Sequence, residues 1–113
     1  MEIMTIETRD DGITKVNLSG KLDIIAAQKI DMPFNIVAGS KRKVIVDLEQ
    51  VSFIASIGIR TIVLGAKTIK AKGGRIALLK PTPDVEQVLV SSGIDTIISI
   101  FHDLDVAVDT VLQ

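Results

Sequence analysis

Side chains able to do chemistry unaided are scarce in this chain of 113 residues: there is one histidine, His102, and no cysteine or tyrosine. Catalysis needs convergent groups of matched pKa, and no serine stands in a GxSxG setting. His102 has no second ligand or nucleophile near it in sequence, so it is expected to be a half-exposed residue at a strand end unless the fold brings Asp23 or Asp47 close. Gly65-Ala66-Lys67-Thr68 has the ending of a phosphate loop, but Gly58 lies too far ahead to be its first glycine and both glycines fall within a helix instead of before one. A small nucleotide-binding enzyme therefore has neither a phosphate loop nor a convergent acid and base to work with. The hydroxyl of Ser56 is better placed, because Val51-Ser52-Phe53-Ile54-Ala55-Ser56-Ile57-Gly58 carries the chain from a strand into a helix. Its simplest role there is to cap the helix, worth about 1 kcal/mol.

Composition narrows the field further. A chain of this length holds one domain, residues 1–113, and 47% apolar residues can fill its core without disulfides or metal. Thirteen basic against fourteen acidic residues give a net charge of −1, too balanced for the footprint of direct nucleic-acid binding. The absence of cysteine fits a reducing compartment. No apolar run is long enough for membrane insertion, and Glu2 stands where a signal peptide would be basic, so a cytoplasmic protein is expected. No cofactor and no metal is implied.

The elements that would position Ser56 follow from periodicity. Thr14-Lys15-Val16-Asn17-Leu18-Ser19 alternates, placing Val16 and Leu18 on one face and Lys15, Asn17 and Ser19 on the other, as a strand over 13–19 solvated on one side does. Asp10-Asp11-Gly12 separates it from a strand over 3–7 and predicts an antiparallel hairpin. Ile24 to Ala38 has helical spacing with Gly39 as its stop, and Pro33 should kink or split it near Asp31. Lys43 to Leu48 is a strand after the basic turn Ser40-Lys41-Arg42. Residues 56–72 form a helix with Ile59, Ile62, Val63, Ala66 and Ile69 inward and Gly73-Gly74 as its end. Lys67, Lys70 and Lys72 suit the negative end of its dipole. Arg75 to Leu79 is a strand. Thr82-Pro83-Asp84 starts a helix ended by Gly93, 96–101 is a strand, and Asp103 caps a last helix through Val111. The order ββαβαβαβα predicts an α/β domain with a mixed sheet, an N-terminal antiparallel hairpin followed by parallel strands, and helices mainly on one face. On the second helix Ile57, Arg60, Thr61, Leu64 and Thr68 would face outward, and exposed Ile57 and Leu64 suggest a contact patch. Asp23 should lie at the same end of the sheet as Ser56, where it could cap the first helix or meet a partner.

Val44-Ile45-Val46-Asp47-Leu48-Glu49-Gln50-Val51-Ser52-Phe53-Ile54-Ala55-Ser56-Ile57-Gly58-Ile59 resembles the signature of STAS domains, specifically the bacterial anti-sigma factor antagonists. Leu18-Ser19-Gly20-Lys21-Leu22-Asp23 and Gly73-Gly74 are similar to further family motifs. The resemblance implies a non-enzymatic binding module. Its unmodified form binds an anti-sigma factor with serine kinase activity, phosphorylation at Ser56 switches it off, and a PP2C-type phosphatase resets it. The partner-binding positions it implies, together with the outward helix face, are Asp23, Ala55, Ser56, Ile57, Gly58, Arg60, Thr61 and Leu64. Family members usually carry aspartate before the serine and a small polar residue after it, whereas this chain has Ala55 and Ile57. That difference leaves room for an alternative, a STAS subunit of a transporter-associated or lipid-transport complex that binds without a phosphorylation cycle.

Overall fold

Asp10-Asp11-Gly12 does turn the chain, with Gly12 at φ +87°, and joins strand β1 (Met4–Thr8) to β2 (Thr14–Leu22) in an antiparallel pair running from Met4↔Leu18 to Thr8↔Thr14. The computed structural model describes residues 3–113, so Glu2 lies outside the described residues. Asp11 organises the turn: its carboxylate accepts from the Ile13 amide at 3.1 Å and from Arg9 Nε at 3.1 Å. Partial desolvation pushes its pKa up, but the Ile13 amide and the Arg9 guanidinium outweigh it and hold the carboxyl below its ordinary 3.8. A depressed native pKa stabilises the fold above the unfolded value, and the contribution is lost as pH falls through the native one. Asp11→Asn should therefore lower the thermal midpoint at neutral pH. The gap to the parent should close below pH 3.8 in a series of melts.

Helix α1 (Ile24–Ser40) follows, then β3 (Lys43–Ile54), α2 (Ser56–Ala71), β4 (Arg75–Leu79), α3 (Pro83–Ser91), a 3₁₀ turn at Ile94–Thr96, β5 (Ser99–Phe101) and α4 (Leu104–Leu112). The five strands lie side by side in chain order, β1–β2 antiparallel and the rest parallel. Val16, Leu18, Val44, Val46, Leu48, Ile76 and Leu78 turn to one face, where α1, α2 and α3 bury Ile30, Phe34, Ile62, Ile69 and Leu89 against them. Ile45, Ala77 and Leu79 point to the opposite face and are covered by Ala107 and Val111 of α4. The rest of that face is polar: Lys15 pairs with Asp47 at 3.0 Å and reaches Glu7 at 3.7 Å. The one-sided alternation of β2 foretold this. No helix among the described residues is long and apolar enough to cross a membrane.

Three local expectations are corrected. Of the kink or split expected at Pro33, the split does not occur: helix α1 is continuous there and runs through Gly39 to Ser40. The carbonyl that Pro33 leaves without its usual donor belongs to Lys29, and both residues line an open groove beside β1. β3 continues well past Leu48 to Ile54. Its pairing with β2 steps by one residue between Asn17 and Ser19 and again between Gly20 and Lys21, so two extra residues on β3 interrupt the alternation. The last strand is confined to Ser99–Phe101 because the residues before it close a 3₁₀ turn, with Ile97 N–H donating to Ile94 O.

Candidate functional site

The parallel pairing of β2 with β3 brings their C-terminal ends together. The Ala55 amide donates to Leu22 O at 2.9 Å, so the residues that follow each, Asp23 and Ser56, stand side by side at one end of the sheet. Gly58 makes this approach possible. A Cβ there would lie 3.2 Å from Ile54 Cγ1 and 3.3 Å from Leu22 O. Gly58 is buried, so it shapes the site from beneath instead of presenting itself to a partner.

Ser56 is the first residue of α2, and the N-cap position belongs to Ala55, which offers no side-chain acceptor. Ser56 is exposed and, among the described residues, its hydroxyl caps no helix, contrary to the simplest reading of the sequence. The helix thus begins with uncapped amides and no acidic residue in its first turn. Neither its cap position nor its own first turn therefore compensates the positive end of its dipole. An aspartate at position 55 would have supplied an acceptor; Ala55 removes it.

Asp23 is exposed and is the N-cap of α1, its Oδ1 accepting from the Ala26 amide at 2.9 Å. Asp23→Ala should cost about 1 kcal/mol in denaturant unfolding, while Asp23→Asn keeps an acceptor and should unfold near the parent midpoint. The asparagine variant therefore separates capping from any role of the carboxylate in binding.

Along α2, Ile57 is 39% exposed and Leu64 45%, with Arg60 between them, as the periodicity indicated. Thr61 is corrected: it is only 5% exposed, and its hydroxyl donates back to Ile57 O at 3.2 Å. The reason is α1, which packs along α2 on the Thr61–Gly65 row. The Phe34 ring lies so close to Gly65 that a Cβ would come 2.4 Å from its Cε2. Val63, expected inward, is half-buried. Ile57, Arg60, Thr61 and Leu64 line one shallow groove of about 360 Å³ with Ala27, Gln28 and Asp31 of α1.

Sequence reasoning missed Phe53, which is 49% exposed beside the junction, and Asp31 in the groove. A strand read as ending at Leu48 gave no face to Phe53; the second irregularity of β3 exposes both Ser52 and Phe53. His102 is not drawn to Asp23 or Asp47. It follows β5, exposed, with Nε2 2.7 Å from Glu86 Oε1. Among the described residues no group of three or more His, Cys, Asp and Glu is placed to hold a metal.

A mixed sheet of this order, with the helix-leading serine at its end, defines a family. The STAS domain family model matches residues 5–107, and the chain belongs to that family. Among curated proteins it is 26% identical over 98 residues to BtrV of Bordetella bronchiseptica, named as an anti-sigma factor antagonist, with 86% of this chain and 84% of that one covered. Among solved structures, a Thermotoga maritima protein described as an anti-sigma factor antagonist superposes with a TM-score of 0.88 at 25% identity, covering 97% of this chain and 95% of that one. The anti-sigma factor antagonist SpoIIAA in its unphosphorylated form gives 0.80 at 25% identity over 96% and 95%. The phosphorylated form of Bacillus SpoIIAA shares the fold, with a TM-score of 0.73 at 24% identity over 96% and 98%.

Proposed function

We propose that this chain is an anti-sigma factor antagonist of the cytoplasm: a binding module that engages an anti-sigma factor with serine kinase activity while Ser56 is unmodified, and releases it once Ser56 is phosphorylated. A PP2C-type phosphatase restores the active form. The names of the relatives support the class. The observation that carries the switch is Ser56, exposed at the start of α2 and without a capping bond among the described residues.

A phosphate there adds a charge of about −1.5 to −2 at a helix N-terminus whose amides are uncapped, so it finds donors and a favourable dipole on its own chain. The helix therefore stays folded, and the cost of modification falls on the complex. A dianion brought against an apolar or acidic partner surface is desolvated and repelled, and affinity drops. Unmodified, the same end presents Asp23, Ala55, Ser56 and Ile57, continuing along Arg60 and Leu64.

Ala55 favours one other reading, a STAS subunit of a transporter-associated or lipid-transport complex that binds without this cycle. Incubation with ATP and the anti-sigma kinases of the same genome, followed by mass spectrometry, distinguishes the two. Label on Ser56 that disappears in Ser56→Ala is the expected result. Modification confined to Ser52, Ser91 or Ser92, or tight binding with none, would favour the alternative.

A further inference from the structure

In the sequence the basic residues Lys41, Arg42 and Lys43 are separated from Lys70, Lys72 and Arg75 by most of β3 and α2. The parallel pairing of β3 with β4 places both turns at the end of the sheet opposite Ser56. Lys43 is in register with Arg75, and the Arg75 amide donates to Arg42 O at 2.6 Å. Six of the thirteen basic residues of a chain with net charge −1 are thus gathered at one end.

The backbone of the two turns is fixed, and so are two of the six side chains. A Cβ on Gly74 would lie 2.4 Å from Arg42 O, so the two turns touch through backbone. The Lys72 ammonium donates to Ala38 O at 2.6 Å and to Lys41 O at 3.0 Å, and the Lys70 ammonium donates to Ile97 O. Lys70 has three donors and keeps two for another acceptor. None of the six forms an ion pair among the described residues. Asp11, on the hairpin turn at the same end, is already paired with Arg9.

Beside this cluster lies a cavity of about 350 Å³, lined by Lys70, Arg75, the Gly73-Gly74 turn, and Ser99 and Thr110 from β5 and α4. Its volume is at the lower end of small-molecule sites, and its lining residues include an arginine, a lysine and Ser99, while the Thr110 hydroxyl already donates to Val106 O at 2.8 Å. We propose that this cavity binds a small anion carrying two or more negative charges, of the phosphate or polyphosphate class. Arg75 and Lys70 would supply charge-assisted hydrogen bonds, while Arg42 and Lys43 draw the anion in. A concave site closed on one side by α4 favours a small ligand over an extended polyanion. The site is independent of the Ser56 switch.

The test is a titration of the full chain with pyrophosphate, followed by amide NMR shifts at constant ionic strength, with inorganic phosphate and sulfate as comparisons. Saturable shifts of Gly73, Gly74, Arg75, Ser99 and Thr110 are expected. Arg75→Gln should weaken binding roughly tenfold, the loss of one charge-assisted contact, and Lys29→Gln on α1 should change nothing. Arg42→Gln serves as a second variant should Arg75→Gln unfold. Linear shifts that never saturate would overturn the proposal. So would equal response to sulfate at all surface lysines, or binding of DNA or an acidic polypeptide without shifts around the cavity.

Discussion

Leu64→Asp is expected to weaken binding of the anti-sigma kinase about 100-fold while leaving thermal stability within about 0.5 kcal/mol of the parent. Leu64 is 45% exposed on α2, so a carboxylate there removes little buried surface from the folded chain. In a complex the same side chain would be enclosed with Ile57 in the groove between α1 and α2, and a carboxylate desolvated in that setting is costly even with Arg60 one turn away. Calorimetry of the variant against the partner, with a melting curve of the free protein, reads both halves. Retained affinity would place the interface elsewhere; lost stability would mean that Leu64 belongs to the core. Arg60 lies between these two apolar groups. Its replacement by glutamate should act chiefly on the association rate and its salt dependence.

Gly65→Ala should destabilise the fold by about 2 kcal/mol, lowering the midpoint by about 10 °C. In most helices this change would be favourable by about 1 kcal/mol. Here the added methyl meets Phe34 Cε2 at 2.4 Å and Cδ2 at 2.9 Å, and that ring is fully buried with nowhere to retreat. Phe34→Leu should be destabilising alone yet partly rescue Gly65→Ala. Urea unfolding of the four proteins in the cycle should therefore show a coupling of about 1–2 kcal/mol. A stabilising Gly65→Ala would show that α1 and α2 do not meet so closely, and the shape of the groove beside Ser56 would then be wrong.

These two positions show why the fold was more legible than the site. Strict alternation at Val16 and Leu18, helical spacing from Ile59 to Ile69, and the Thr82-Pro83 start are local signals that tertiary packing reinforced. Thr61 and Gly65 could not be read that way. A helix with one apolar face announces its contact with the sheet, whereas its contact with a neighbouring helix rests on a small residue opposite a large one. The end of β3 was lost for a different reason: two one-residue steps in register broke the period that reveals a strand. The merging of the two basic turns is a property of parallel connections, invisible until the register is known. Ser56 was found by its motif, but its freedom from capping depends on Ala55, one residue earlier, taking the cap position.

The affinity of one anti-sigma kinase for two forms of this chain, unmodified and phosphorylated at Ser56, tests the switch most directly when each form's circular dichroism is recorded alongside. The account predicts tight binding by the first, at least about 100-fold weaker binding by the second, and superimposable spectra with an unchanged or slightly higher melting point after phosphorylation. Equal affinities would remove Ser56 from control of the complex. Weaker binding accompanied by loss of helix would place the switch in refolding of α2 and contradict exclusion at the interface.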